Sequence, residues 1–220
     1  MTSLRQERTW QEEIMIGREE TWFPTAKSIV DFAEIESSHS ILDVGSGFGD
    51  VTEEAVGRGC KVVSLDFSIR YLEFVAKKKQ RDQLVLGDAT RMPFRWGLFD
   101  RVVSKDIWHN IPSSEARNRF IVEIGRVAKP KGLVLSAVWN KLYCYLNPVR
   151  MVRRPPVDDP YHHYFMPSEV KRVFRLAGLD IFEVQASKTP FRNRLPFLDR
   201  ILSPWYFAFY LDVKARKKAD

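Results

Sequence analysis

Ile41-Leu-Asp-Val-Gly-Ser-Gly-Phe-Gly-Asp50 is an apolar run that breaks into a glycine-rich turn, with an acidic residue set in the end of the run. It reads as a short strand, a tight turn and the start of a helix, the frame of a nucleotide-cofactor site. Spacing narrows the ligand. The glycines stand at 45, 47 and 49. A dinucleotide site uses G-x-G-x-x-G, because its third glycine packs helix against strand while the helix N-terminus holds a pyrophosphate. Here Asp50 holds the place of that third glycine, and Asp43 precedes the turn. Two carboxylates around the loop repel a pyrophosphate and suit a cation.

Three further segments follow in order. Lys61-Val-Val-Ser-Leu-Asp66 is a second apolar strand, and its terminal carboxylate lies about twenty positions beyond Gly47, where ribose hydroxyls are accepted in such sites. Leu84-Val-Leu-Gly-Asp88-Ala-Thr-Arg-Met-Pro-Phe94 is a third, ending in a carboxylate able to accept from an adenine amino group. Phe99-Asp-Arg-Val-Val-Ser104 is a fourth and runs into Lys105-Asp-Ile-Trp-His-Asn-Ile-Pro112. A cationic nucleotide without phosphate fits the loop, and S-adenosylmethionine, with its sulfonium and ammonium groups, meets that description.

Taken with Gly125-Arg-Val-Ala-Lys-Pro-Lys-Gly-Leu-Val-Leu-Ser-Ala-Val-Trp-Asn140, these segments closely resemble the class I S-adenosylmethionine-dependent methyltransferases over residues 20–187. The resemblance implies a doubly wound, mostly parallel seven-stranded α/β sheet with an antiparallel last strand, and S-adenosylhomocysteine as product. It implies that Asp43, Gly45, Ser46 and Gly47 hold the methionine portion and Asp66 the ribose. Phe67 then flanks the adenine, Asp88 and Ala89 contact its edge, and Ser104 lines the methionine side. Phe94-Arg-Trp-Gly-Leu-Phe-Asp100 and Tyr161-His-His-Tyr-Phe-Met-Pro-Ser-Glu169 look like the small-molecule branch that contains quinone C-methyltransferases. A similar tyrosine–histidine segment occurs in tRNA wobble-uridine side-chain methyltransferases. Those carry paired histidines after the fourth strand, where this chain reads Trp108-His109-Asn110.

At 220 residues, 45% apolar and 29% charged, the chain is the size and composition of one soluble domain, residues 1–220. Met1 to Glu20 is polar and charged, unlike a signal peptide, and the longest apolar run, Trp205 to Leu211, is far short of a membrane span. Cys60 and Cys144 have neither metal-ligand nor redox spacing, so Cys60 is expected in the core. A cytoplasmic protein is the plain expectation. Helices are expected near 23–35, 48–58, 68–79, 113–128 and 167–177. Strands are expected near 40–44, 60–66, 83–87, 100–104, 131–139, 179–187 and 206–215. This alternation argues for a parallel sheet with helices on both faces.

The acceptor side is less determined. His109, following the fourth strand, is a candidate base with a pKa near working pH, or it merely orients the loop. Asp106 beside it is as readily a partner for a neighbouring lysine and is not expected to be the base. The segment 140–166 is a candidate lid that carries Tyr143, Tyr145, Arg150, Arg153 and Arg154 as candidate acceptor contacts and His162 and His163, with His109, as the catalytic candidates. Tyr161 and Phe165 are expected as packing anchors. Adjacent histidines without a third ligand predict no metal. The N-terminal arm, 1–22, brings Trp10 and Trp22, which either fold over the cofactor or pack the first helix.

The formal charge of +7 concentrates toward the C-terminus, where residues 188–205 also form a basic, aromatic insertion. A solvated tail, RNA binding and peripheral contact with an anionic membrane are all open there. The expected function is methyl transfer to a small or lipophilic acceptor at oxygen or carbon. An RNA-modifying enzyme is the first alternative and a cofactor-binding scaffold without catalysis the second.

Overall fold

The computed structural model describes residues 25–78, 83–146, 162–186, 203, 205 and 208–219. Its strands are β1 (Ser40–Val44), β2 (Lys61–Asp66), β3 (Gln83–Leu86), β4 (Phe99–Ser104), β5 (Ala128–Trp139), β6 (Leu179–Ala186) and β7 (Tyr210–Lys217). They form one seven-stranded sheet in the order β3-β2-β1-β4-β5-β7-β6. The pairs among β1 to β5 are parallel. β7 is antiparallel to both of its neighbours, as expected of the last strand. The chain order reverses direction between β1 and β4, and in such sheets ligands bind beyond the carboxyl ends of the strands at that switch point.

Helices α1 (Ala26–Phe32), α2 (Asp50–Gly57), α3 (Ile69–Lys77), α4 (Ser114–Val127), α5 (Lys141–Leu146) and α6 (Pro167–Leu176) flank the sheet. Ile41, Leu42 and Val44 of β1 are all fully buried, as befits a central strand covered on both faces, and the run is broken only by the buried Asp43. One core unites β1, β4 and β5 with α4 and α6 through Leu42, Val102, Val134, Phe120, Ile124 and Phe174. On the opposite face Ile29, Val30, Val51 and Ala55 of α1 and α2 pack against Ile41, Val62 and Val103. Cys60 lies in this second core, its thiol donating to the Glu36 carbonyl at 3.2 Å. Ser113 caps α4, accepting from the Ala116 amide, and Pro167 opens α6.

Boundaries differ from expectation where a polar contact intervenes. α1 stops at Phe32 because Glu34 takes a left-handed φ of 52°. β7 begins at Tyr210, later than the expected 206; before it the Asn140 side-chain amide donates to the carbonyls of Trp205 (2.8 Å) and Ala208 (2.9 Å). The segment after β5 opens with α5, held at its start by the Leu142 amide on the Asn140 side chain. The basic C-terminus is part of the sheet. Lys214 is buried and paired with Glu34 and Glu183, Arg216 lies over Phe182, and Lys218 meets Asp180. No described helix is long and apolar enough to cross a membrane.

Candidate functional site

The loop between β1 and α2 takes its shape from three left-handed glycines, with φ of 68°, 52° and 76° at 45, 47 and 49. Each is needed for a different reason. A Cβ on Gly45 would lie 2.6 Å from Ile107 Cδ1, and one on Gly49 would lie 2.8 Å from Val75 Cγ2. Gly47 has no such neighbour, the nearest atom being a carbonyl oxygen at 4.0 Å. Its missing side chain therefore leaves room above the loop. Beneath it, Asp43 is 2% exposed and accepts from the Thr52 hydroxyl at 2.7 Å, with the Thr52 amide as a second donor. The Thr52 hydroxyl also meets Ser64 at 2.8 Å, which ties β1, α2 and β2 together. Burial pushes the Asp43 carboxyl up to about 6, against the pull of Thr52. Thr52→Val removes the hydroxyl that both Asp43 and Ser64 meet, and a loss of about 2 kcal/mol in urea unfolding at neutral pH is expected.

α2 carries Asp50 and Glu53 in its first turn. The helix N-terminus is thus already served by carboxylates, which disfavours a phosphate and favours a cation above it. Ser46 is 8% exposed, and its hydroxyl has no partner among the described residues. Asp66, at the tip of β2, accepts from the amides of Gly47 (2.9 Å) and Ser68 (2.9 Å) as well as Phe67. Burial raises its pKa and those amides lower it again, the balance being upward. Phe67 is 73% exposed, a flat apolar surface beside that carboxylate. Asp88 is exposed and turned back onto the amide and hydroxyl of Thr90, with Ala89 nearly buried next to it. Ser104 is fully buried and donates to Ser136 at 3.0 Å, so its hydroxyl faces the neighbouring strand.

Beyond β4 the sequence expectations converge only in part. His109 is 1% exposed and stacks on Trp139 at 4.1 Å, with the rings 20° apart. His162 stacks on the same indole at 5.0 Å, and Tyr164 and Phe209 lie at 5.4 and 5.6 Å. His109 and His162 thus share one aromatic platform. His163 does not join it: its Nε2 lies 3.1 Å from both carboxylate oxygens of Glu169 on α6. Phe165 is 1% exposed and stacks on Trp108 at 4.0 Å, a packing anchor as expected. Burial, with His162 nearby, pushes the His109 pKa down to about 3, so the ring is neutral at working pH. Both His109 ring nitrogens, Trp139 Nε1 and Asn110 Oδ1 are buried without a hydrogen-bond partner among the described residues.

Trp139, Tyr164 and Phe209 were not among the sequence candidates. Trp139 ends the fifth strand, and that position on a sheet with its ligands at the carboxyl ends was the available signal. Asp106 accepts from the Tyr210 hydroxyl at 2.8 Å, with the charge of Lys105 acting on it as well. Trp10, Trp22, Phe23, Arg150, Arg153, Arg154, Tyr161 and most of 188–205 lie outside the described residues. Trp205, which is described, is half-buried against the larger core with the Lys171 ammonium over its ring.

The methyltransferase domain family matches residues 42–136. A demethylmenaquinone methyltransferase of Oceanobacillus iheyensis is 32% identical over 201 residues, covering 79% of this chain and 82% of that protein. Another, of Staphylococcus saprophyticus, is 34% identical over 129 residues, covering 56% and 52%. The chain spans about half the length of several of the curated relatives it matches. Among solved structures, an S-adenosylmethionine-dependent methyltransferase from Methanosarcina mazei superposes with a TM-score of 0.68 at 16% identity, covering 90% of this chain and 99% of that one.

Proposed function

Since this chain belongs to the class I S-adenosylmethionine-dependent methyltransferases, in the branch that holds the demethylmenaquinone methyltransferases, we propose that it methylates a planar, lipophilic quinol-type acceptor at carbon or oxygen. The observation that carries the acceptor class is the platform of His109, Trp139 and His162, with orphaned buried nitrogens on the first two. Native interiors leave few buried polar atoms unpaired. A flat ring bearing oxygens would stack there and supply the missing hydrogen bonds, whereas an aliphatic acceptor would supply neither.

The residues present fit the cofactor. Gly47 leaves open space above the loop, the Ser46 hydroxyl awaits a partner, and the acidic first turn of α2 suits a cation. Bound there, S-adenosylmethionine supplies an electrophilic methyl on sulfur. Ser46 and the loop amides would hold its methionine end, Asp66 its ribose, Phe67 one face of the base, and Asp88 with Ala89 the base's edge. Asp43 serves this site through Thr52, by fixing the angle at which α2 leaves the loop. The protein's main contribution is then alignment of the acceptor atom with the methyl, an effect worth several kcal/mol in such displacements. His109, neutral and buried, would donate or accept one hydrogen bond from the acceptor and hold its ring in register.

Methyl-labelled S-adenosylmethionine incubated with the protein and a bacterial membrane extract tests the reading. Label is expected in the solvent-extractable quinone fraction, and reduction of the quinones to quinols should raise it. Label in RNA would replace the acceptor assignment with the RNA alternative. Tight cofactor binding without transfer to any fraction would leave a scaffold.

A further inference from the structure

Asp106 stands where the two halves of the site meet. Ile107, next in sequence, packs against Gly45 of the glycine loop, while His109, three residues on, stacks on Trp139 of the aromatic platform. Its backbone has a φ of 56°, a left-handed conformation uncommon for an L-residue though aspartate adopts it more readily than most, and such residues collect at working sites. Two contacts hold the residue here. The Asn110 side-chain amide donates to the Asp106 carbonyl at 2.8 Å, and the Tyr210 hydroxyl donates to its carboxylate at 2.8 Å. Tyr210 comes from the far end of the chain and sits opposite Trp139 in the β5–β7 pairing. Through Tyr210 the carboxylate is thereby tied to the strand pair that carries the platform's indole.

We infer that Asp106 is the general base of the reaction, its carboxylate held by Tyr210 and aimed at the hydroxyl of the acceptor. The inference rests on the quinol reading above. In the step it performs, the acceptor O–H bond breaks and the proton passes to a carboxylate oxygen of Asp106. The electron pair stays on the acceptor oxygen and is shared with the adjacent ring carbon, so either atom becomes nucleophilic. One base therefore serves methylation at oxygen or at carbon. The methyl–sulfur bond breaks as the new bond forms; after methylation at carbon the ring C–H proton is lost and the oxygen regains a proton, restoring the quinol, and in either case the proton held by Asp106 leaves to water. A phenol-like acceptor is too weak an acid to lose this proton unaided at neutral pH.

The competing base is His109, and its surroundings argue against it. Burial makes its imidazole hard to protonate, at about 3, with His162 adding to the effect. Burial acts on Asp106 in the opposite sense: it raises the carboxyl, only partly offset by Lys105 beside it and the Tyr210 hydroxyl. From β7, Asp212 faces Tyr210 together with Asp106 and pushes the phenol further up, so Tyr210 stays a donor. Between the two, the carboxylate is the stronger base.

The test compares wild type, Asp106→Asn and Tyr210→Phe with a reduced demethylmenaquinone analogue. Asp106→Asn should keep its affinity for S-adenosylhomocysteine by calorimetry and lose roughly 100-fold or more in single-turnover rate, and the acid limb of the pH profile should vanish with it. Infrared titration of the unliganded protein supplies a readout independent of turnover. The carboxyl band missing from Asp106→Asn should titrate above an ordinary aspartate, and higher still in Tyr210→Phe, which lacks the donor that favours the charged form. A band titrating at the ordinary value, or an Asp106→Asn rate within about threefold of wild type, overturns the assignment alone. A wild-type protein that transfers methyl to no quinol overturns the acceptor reading, and this inference with it.

Discussion

Gly47→Arg is expected to weaken S-adenosylmethionine binding by roughly 100-fold or more, about 2.7 kcal/mol, in a protein that still folds. The contrast among the three loop glycines is the reason. At Gly45 and Gly49 any side chain would collide with Ile107 or Val75, so substitution there disturbs packing before it disturbs binding. At Gly47 a Cβ meets nothing closer than 4.0 Å, and the folded state loses only the roughly 1 kcal/mol that an L-residue gives up at a left-handed φ. A guanidinium would fill the space kept open above the loop and set a positive charge where a sulfonium or ammonium is to lie. Isothermal calorimetry should report the lost affinity, and thermal unfolding a fall of only a few degrees. Wild-type affinity in a folded Gly47→Arg protein would place the cofactor somewhere else. Asp66→Ala is a less clean probe of the same site. Asp66 holds the amides of Gly47, Ser68 and Phe67, so its removal slackens the loop as well as the ribose contact.

Strands were legible in this sequence because β1, β2 and β4 are largely buried and each is an apolar stretch carrying a polar residue at or next to its carboxyl end, Asp43, Asp66 and Ser104. The glycine loop was legible for a related reason. Its conformation is set by local backbone rules, and a ligand that needs those rules leaves its mark within ten residues. The acceptor platform obeys no local rule. His109, Trp139, His162 and Phe209 come from four separate segments, and long-range backbone bonds bring them to one place: the His163 amide on the His109 carbonyl, the Phe165 amide on that of Trp139, and the Asn140 amide on that of Phe209 beside the β5–β7 pairing. Spacing likewise could not tell His162 from His163. Neighbouring residues in an extended segment face opposite ways, so one meets Trp139 and the other Glu169. Asp106 shows the same limit. Its nearest charge in sequence is Lys105, yet its hydrogen bond is to a tyrosine 104 positions away.

The buried pair of His109 and Asp43 predicts opposing responses of stability to acid, and two variants separate them. His109 has an ordinary value of 6.5 and titrates at about 3 when folded. The unfolded chain therefore takes up a proton that the folded one refuses, and stability that is full above 6.5 drains away as the pH falls toward 3. Between pH 7 and pH 5 this amounts to roughly 2 kcal/mol. Asp43 runs the other way, because burial raises its folded value from 3.8 to about 6. Its charged form is a burden above pH 6 that protonation relieves, restoring about 1 kcal/mol over the same interval. In the wild type the two partly cancel, leaving a net loss of about 1 kcal/mol. Asp43→Asn removes the compensation, so its unfolding free energy should drop by about 2 kcal/mol relative to its own value at pH 7. His109→Phe keeps the stack on Trp139, removes the buried nitrogens, and should leave a protein that gains about 1 kcal/mol on the same acidification. Urea unfolding of the three proteins at the two pH values reads this directly, since carboxylates elsewhere titrate alike in all of them. Parallel pH dependences in the two variants would mean that neither group is buried in the state seen here, and the neutral His109 on which the choice of Asp106 as base depends would fall with it.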